Sequence, residues 1–213
     1  IPETAPMVQK IIEKGIGVIS EIEFAGRYDS AKKVCITGSN GKTTVKEWLY
    51  QILSPDFNVC RSPRSYNSQV GVPLSVWLMS KHNDIAIFEA GISQPGEMER
   101  IESVLRPTIG VVTNIGEAHQ ENFLSYDIKC AEKLTLFKGC KTVVLNYNDE
   151  AILRGAPTVP SKAERMTWTK LSHGGGIDLE STLVIRSIEK ADDHAVVNYS
   201  VNDEIGHYTI PFI

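Results

Sequence analysis

The chain has 213 residues, with 22 lysines and arginines against 26 aspartates and glutamates, which gives a formal net charge of −4. Hydrophobic residues make up 42% and charged residues 23% of the sequence, as in folded globular proteins and unlike disordered ones. A slightly acidic chain lacks the basic surface that nucleic acids and anionic membranes require, so we expect neither as a partner. No apolar run reaches the roughly 18 residues of a membrane span, and we expect no signal peptide.

The cysteines favour an intracellular location. Cys35, Cys60, Cys130 and Cys140 form no CxxC pair and have no histidines at zinc-ligand spacing. Isolated cysteines of this kind are most often small core residues in a reducing compartment. We therefore predict a cytoplasmic protein.

Strand and helix signals alternate from residue 33 to about residue 150. Continuous apolar runs predict buried strands at 33–37, 85–88, 109–112 and 142–145. Amphipathic spacing predicts helices around 45–53, 69–79, 96–105 and 128–137. The apolar face of the first helix would consist of Val45, Trp48, Leu49, Ile52 and Leu53. Continuous rather than alternating apolar strands are typical of a parallel sheet that is covered on both faces. We therefore predict a doubly wound, mostly parallel α/β fold, which binds ligands beyond the carboxyl ends of its strands.

The pattern changes after about residue 160. Strand-like runs with short polar connections follow one another at 183–185, 195–201 and 207–212. They predict a small antiparallel β extension, within about 160–213, that is joined to the main sheet.

The most informative motif is ITGSNGKTT at 36–44, between the first predicted strand and a helix. Backbone N–H groups of such a loop can surround a phosphate, and the helix N-terminus adds its positive dipole. Lys42 would supply charge to the β and γ phosphates, and the Thr43 hydroxyl suits Mg²⁺. The motif is not a complete Walker A sequence because Ile36 stands in place of its first glycine. The predicted nucleotide-binding residues are Gly38, Ser39, Asn40, Gly41, Lys42, Thr43 and Thr44.

Three further polar residues lie near predicted strand ends or on a neighbouring helix. Glu89 follows the strand at 85–88 and could bind Mg²⁺, which prefers oxygen ligands; the alternative is a surface glutamate in a turn. His119 follows the strand at 109–112, although a lone histidine is more often structural and Mg²⁺ rarely selects imidazole. Lys133 lies on a predicted helix, where a lysine is ordinarily a solvated surface charge.

Five sequence strings, in this order, resemble the central ATPase domain of the Mur ligases, the ATP-dependent amide-forming enzymes of peptidoglycan-precursor synthesis. They are ITGSNGKTT (36–44), SYNSQVGVPLSV (65–76), FEAGISQPGEM (88–98), PTIGVVTNIGEAHQENF (107–123) and AEKLTLF (131–137). YNSQVGVP and EAGISQPGEM look most like the member that adds D-alanyl-D-alanine to UDP-N-acetylmuramoyl-tripeptide, especially members fused to an alanine racemase. Residues 1–33 look more like the lead-in of the D-glutamate-adding member.

The resemblance implies roles for individual residues. The family lysine that Lys133 matches is carbamylated by CO₂ and helps to hold a second Mg²⁺, and His119 matches a histidine at that metal. Thr43 and Glu89 match ligands of the first Mg²⁺. Asn67 matches a polar residue near the phosphates and the acceptor substrate. The implied catalytic residues are Lys42, Lys133 and His119.

The resemblance also implies a reaction and a domain organisation. A substrate carboxylate attacks the γ-phosphate of ATP to give an acyl phosphate, from which the incoming amine displaces phosphate. Residues 1–33 would be a lead-in and 34–213 the central ATP-binding domain. The family's N-terminal UDP-binding domain and C-terminal domain would lie outside the chain, so we expect this chain alone to be unable to ligate.

Besides the D-glutamate-adding member, two alternatives remain open at this point and a third is disfavoured. Folylpolyglutamate synthase shares the phosphate loop and the chemistry. A non-catalytic nucleotide-binding or scaffolding module would keep the loop without the reaction. A P-loop GTPase is disfavoured because the sequence has no NKxD string for guanine.

Overall fold

The computed structural model describes residues 4–27, 30–171 and 181–211. The α-helices in these ranges are α1 (Pro6–Glu13), α2 (Glu21–Arg27), α3 (Lys42–Leu53), α4 (Gly71–Val76), α5 (Glu97–Leu105), α6 (Tyr126–Leu134) and α7 (Glu150–Gly155). The strands are β1 (Lys32–Thr37), β2 (Val59–Arg61), β3 (Ile85–Glu89), β4 (Ile109–Val112), β5 (Thr142–Asn146), β6 (Glu164–Lys170), β7 (Leu183–Lys190), β8 (His194–Val201) and β9 (Glu204–Pro211). Short 3₁₀ helices are Gln120–Asn122, Thr135–Phe137 and Ala156–Thr158. Among the described helices, none is long and apolar enough to cross a membrane.

The described strands form one sheet, in the order β2-β3-β1-β4-β5-β6-β7-β8-β9. Neighbouring strands from β2 to β7 run parallel, whereas the pairs β7–β8 and β8–β9 are antiparallel. This arrangement confirms the predicted mostly parallel α/β fold with antiparallel strands near its C-terminal end. The strand order reverses at β1, which lies between β3 and β4. The carboxyl ends of these three strands therefore border the crevice in which doubly wound folds bind ligands.

Apolar side chains cover both faces of the sheet, as continuous apolar strands predict. On one face the residues of β1, β3 and α3 that pack together are Val34, Ile36, Ile87, Val45, Leu49 and Leu53. On the other face a larger cluster includes α4, α5 and α6. Gly110 of β4 allows this second layer to approach closely, because a Cβ at that position would lie 2.3 Å from Cδ1 of Phe137.

Helix α3 forms where expected, but its apolar face differs from the prediction. Trp48 and Ile52 were expected to face the core, yet they are 54% and 65% exposed. Lys46 is instead completely buried. Lys46 can be buried because its ammonium donates to the carbonyls of Ser62 and Arg64, which follow β2. The helical period of the sequence does not reveal such a tertiary contact.

The C-terminal part also differs from the prediction in one strand. β6 lies within the range expected to be antiparallel, yet it runs parallel to both β5 and β7. Helix α7 connects β5 to β6 across the sheet, which is the connection that parallel neighbours require. β8 and β9 form the expected hairpin, in which Asn202 and Asp203 have φ of 46° and 69° at the two-residue turn. Phe212, the last residue of a predicted strand, lies outside the described residues.

Two smaller observations concern the N-terminal half. The predicted lead-in contains α1 and α2, and α2 packs against α5. Helix α4 is shorter than the predicted 69–79. At its start, Gly71 N donates a hydrogen bond to the hydroxyl of Ser68 at 3.2 Å.

Candidate functional site

The loop that joins β1 to α3 depends on two glycines. Gly38 and Gly41 have φ of +139° and +81°, which side chains disfavour. A Cβ on Gly38 would also lie 2.0 Å from Oγ1 of Thr113. The GxxG spacing of the motif is therefore required by the turn and by the close approach of the β4 end.

Asn114, just beyond β4, holds this loop from outside. Its carbonyl accepts a hydrogen bond from Ser39 N at 2.8 Å, and its side-chain Oδ1 accepts one from Asn40 N at 2.9 Å. Two of the N–H groups predicted to surround a phosphate thus donate to protein instead. The first turn of α3, whose N–H groups have no intrahelical acceptors, supplies the donors for an anion. Sequence reasoning missed Asn114, although it lies within the matched string 107–123.

Replacing Asn114 by alanine is expected to weaken ADP binding by about fivefold to tenfold, since the loop loses one hydrogen bond that shapes it. Isothermal titration calorimetry measures the change. Asn83→Ala is the matched control, because Asn83 Oδ1 accepts a comparable bond from Ser80 N at 2.7 Å in a distant turn. Equal ADP affinity in both variants would contradict a role of Asn114 in loop shape.

Oxygen and amide groups converge beside the phosphate loop. Thr43 Oγ1 donates a hydrogen bond to Glu89 Oε2 at 3.2 Å, and Asn67 Nδ2 donates to the same oxygen at 3.4 Å. Ser65 Oγ lies 3.2 Å from Thr43 Oγ1. Glu89 is fully buried rather than a surface glutamate. These four residues and the loop, including Thr44, line a cavity of about 250 Å³.

The chemistry of this group suits a hard divalent cation. Thr43 and Glu89 present adjacent oxygens, and Mg²⁺ prefers oxygen ligands. In the described ranges there is no group of three or more histidine, cysteine, aspartate or glutamate side chains arranged to hold a metal. The protein therefore offers part of a coordination sphere, which is typical of Mg²⁺ sites that a bound phosphate completes.

Lys42 lies between this cavity and a second, larger one. Its ammonium donates to the carbonyls of Gly38 at 2.8 Å and Ser39 at 3.2 Å, so the side chain folds back over its own loop. Burial lowers the pKa of Lys42, and the nearby charge of Glu89 opposes that shift. Lys42 lines both cavities and can therefore contact groups bound in either.

The larger cavity, about 370 Å³, brings together Lys42, Asn67, His119 and Lys133. It is also bordered by the segment after β3, including Gly91 and Ser93. His119 is exposed and has a φ of 60°, in the left-handed region. The fold thus brings two residues that are 14 positions apart, His119 and Lys133, to the walls of one cavity.

Lys133 is not the solvated surface charge that its helical position indicates. It is 4% exposed on α6, and its ammonium donates to the carbonyl of Gly38 at 3.4 Å. Burial, followed by the positive charges of Lys42 and Lys129, lowers the pKa of Lys133 to about 8. A buried amine with a lowered pKa has a larger neutral, nucleophilic fraction than an ordinary lysine.

Comparisons with known proteins identify the family of the chain. Residues 36–212 match the Mur ligase middle domain. The chain is 39% identical over 125 residues to the UDP-N-acetylmuramoyl-tripeptide–D-alanyl-D-alanine ligase of Borreliella burgdorferi, covering 58% of this chain and 27% of that protein. It is 34% identical over 158 residues to the UDP-N-acetylmuramoylalanine–D-glutamate ligase of Bacteroides thetaiotaomicron, covering 72% of this chain and 34% of that protein.

A solved structure has the same fold. The MurF ligase of Thermotoga maritima in complex with ADP superposes with a TM-score of 0.74 at 23% identity, covering 92% of this chain and 46% of that one. The chain thus spans about a quarter to a half of the length of these relatives. Because the match to the middle domain covers most of the sequence, the chain belongs to the Mur ligase family, as a middle domain.

Proposed function

We propose that this chain is the ATP-binding domain of a ligase that adds D-alanyl-D-alanine to UDP-N-acetylmuramoyl-tripeptide. The observation that carries the proposal is the position of Lys42 between two cavities of different character. One cavity holds the phosphate loop with Thr43 and Glu89, and the other holds His119 and Lys133. A ligase needs this arrangement, because ATP and a carboxylate must meet at the γ-phosphate.

The proposed reaction has two steps. The terminal carboxylate of the tripeptide attacks the γ-phosphorus of ATP, the bond to the β–γ bridging oxygen breaks, and ADP leaves an acyl phosphate. The amine of D-alanyl-D-alanine then attacks the acyl carbon, phosphate departs, and the amine loses a proton. Lys42, on the wall that the two cavities share, would offset negative charge as the two anions approach.

Two Mg²⁺ sites would assist this chemistry. Thr43 and Glu89 would hold the first ion with the nucleotide phosphates, and Asn67 would orient Glu89 and contact phosphate. His119 and a carbamate on Lys133 would hold the second; the carbamate forms when the neutral amine bonds to the carbon of CO₂ and releases a proton. When bound, Mg²⁺ would neutralise negative charge on the phosphoryl group.

The D-glutamate-adding ligase is the second candidate. It is favoured by the Bacteroides relative, which is 34% identical over 72% of this chain, and by the resemblance of residues 1–33. A Mur ligase of either kind would act in the cytoplasm, in keeping with four free cysteines in the structure. Fusion of the complete protein to alanine racemase remains a prediction.

The test is phosphate release by the complete gene product with ATP and Mg²⁺ in the presence of each substrate pair. One pair is UDP-N-acetylmuramoyl-tripeptide with D-alanyl-D-alanine, and the other is UDP-N-acetylmuramoyl-L-alanine with D-glutamate. Turnover of the first pair alone supports the proposal, and turnover of the second alone replaces it by the second candidate. ATP binding without turnover of either pair would favour a non-catalytic module, while folate- and glutamate-dependent ADP release would favour folylpolyglutamate synthase.

A further inference from the structure

Lys46 is a completely buried lysine that the reaction above does not use. It lies on α3, one turn after the phosphate loop. Its ammonium is 3.0 Å from Glu89 Oε1, and the side chains of both residues are 0% exposed. The ammonium also donates to the carbonyl of Ser62 at 2.9 Å and to the carbonyl of Arg64. Burial of an ammonium is costly unless partners such as these compensate for lost water.

These contacts join the three segments that form the smaller cavity. Lys46 belongs to the helix that begins with Lys42 and Thr43, and Glu89 ends β3. The segment 62–67 carries Ser65 and Asn67 and is tied to Glu89 a second time, because Glu89 N donates to Ser62 Oγ at 3.1 Å.

One residue of the same segment, Arg64, has a backbone conformation that requires stabilisation by its surroundings. Arg64 has a φ of 46°, an uncommon conformation for a residue with a side chain. Such a conformation persists only where the surroundings stabilise it. The ammonium of Lys46, which also contacts the Ser62 carbonyl and Glu89 Oε1, donates a hydrogen bond to the Arg64 carbonyl and so stabilises this conformation.

The two oxygens of Glu89 consequently have separate roles. Oε1 contacts the ammonium of Lys46, while Oε2 accepts hydrogen bonds from Thr43 and Asn67. Lys46 therefore determines which oxygen faces the cavity. It also offsets the charge of Glu89, as it does in part for Glu47, whose Oε1 lies 3.2 Å away. Because Lys46 offsets the charge of Glu89, a cation at Oε2 would not meet a full negative charge from the protein. It would need the negative charge of the nucleotide phosphates as well.

We propose that Lys46 is a positioning residue for the first metal: it fixes Glu89 so that Oε2 meets a divalent cation only together with a bound nucleotide. The inference rests on the proposed nucleotide and metal site. It gives two roles to Lys46, a buried lysine outside the GKTT motif. Lys46 orients the metal ligand Glu89, and it makes cation binding depend on nucleotide binding.

The test measures Mn²⁺ affinity in the chain with and without saturating ADP, by electron paramagnetic resonance of free Mn²⁺. The variants are Lys46→Met, which removes the ammonium, and Lys46→Arg, which keeps the charge. A guanidinium presents a fork of donors that engages both carboxylate oxygens, so it draws Oε2 away from Thr43. Lys33→Met is the matched control: Lys33 is 4% exposed and donates to the Gly26 carbonyl at 2.8 Å, at the opposite end of β1.

In the wild type we expect tight Mn²⁺ binding only with ADP. Both Lys46 variants should weaken that binding by about tenfold or more, the usual effect of losing a residue that orients a metal ligand. ADP affinity in EDTA should stay within about twofold, and Lys33→Met should change neither value.

Wild-type Mn²⁺ affinity in the Lys46 variants would overturn the inference, as would tight Mn²⁺ binding to the wild type without ADP. If Lys46→Met does not fold, Lys46→Arg decides the question alone. Absence of any Mn²⁺ binding to the wild type, with or without ADP, would instead contradict the proposed function, so the two failures are distinguishable.

Discussion

Replacement of Lys42 by alanine is expected to lower ATP-dependent phosphate release by the complete gene product by about 1,000-fold. Lys42 lies on the wall shared by both cavities, so in the proposed reaction its ammonium would contact the γ-phosphate from one side and the attacking carboxylate from the other. Loss of one group that stabilises developing charge typically costs about 100-fold to 1,000-fold in rate. Lys42 would also contribute to nucleotide binding, which places the expected effect at the upper end.

The measurement is kcat/KM for ATP together with the Kd of ADP. Lys141→Ala is the control, because Lys141 is an exposed lysine just before β5. Folding is checked by thermal unfolding, and we expect little loss of stability, since burial lowers the pKa of Lys42 and its charged form is therefore not favoured in the folded chain. Loss of ADP binding without loss of the cellular function of the parent protein would favour the scaffolding alternative.

Most of the parallel sheet was predictable, because short, continuous apolar runs in an α/β chain form buried parallel strands. The segments 33–37, 85–88, 109–112 and 142–145 all form parallel strands. The loop was predictable for a local reason, since two glycines at fixed spacing before a helix require the turn that Gly38 and Gly41 form. The strands β2 and β6 were not predicted. β2 has only three residues, and the alternation in β6 (ERMTWTK) mixes polar and apolar side chains.

The site was only partly predictable, because burial of charge is a tertiary property. Lys46 and Lys133 occupy helical positions that a sequence pattern assigns to the surface, yet both are buried. Their acceptors come from residues 62–64 and from Gly38, which no helical period connects to them. The GKTT motif and Glu89 at a strand end could be predicted, because the carboxyl edge of a parallel sheet brings such residues together. Asn114 could have been found by the same argument, as a side chain that follows β4.

Replacement of Lys133 by methionine is expected to have two opposite effects. ATP-dependent phosphate release should fall by about 1,000-fold, because the second metal would lose the carbamate that holds it. The free energy of unfolding of the nucleotide-free chain should rise by about 1–3 kcal/mol at pH 7, since methionine fills a similar volume without a buried charge. The second effect follows from the pKa of about 8, which shows that the folded chain disfavours the ammonium.

The sign of the pH dependence follows from the same value. Below pH 8 the folded chain retains an ammonium that the unfolded chain solvates better, so Lys133 destabilises the fold most in that range. Between pH 8 and the ordinary lysine pKa of about 10.5, the folded chain loses the proton before the unfolded chain does, and the stability of the wild type rises. The difference between Lys133→Met and wild type should therefore shrink as the pH increases through this window.

Urea unfolding in CO₂-depleted buffer at several pH values measures the difference, and ¹³C NMR with labelled bicarbonate detects the carbamate on the wild type. Lys138→Met is the control, because Lys138 is an exposed lysine just after the 3₁₀ helix that follows α6, and its replacement should change stability by less than about 0.5 kcal/mol. An unchanged or lower stability of Lys133→Met at pH 7 would contradict the buried-charge argument. Normal turnover would contradict the metal role. A gain in stability together with a loss of turnover would mean that the fold tolerates a costly buried lysine because the reaction requires it.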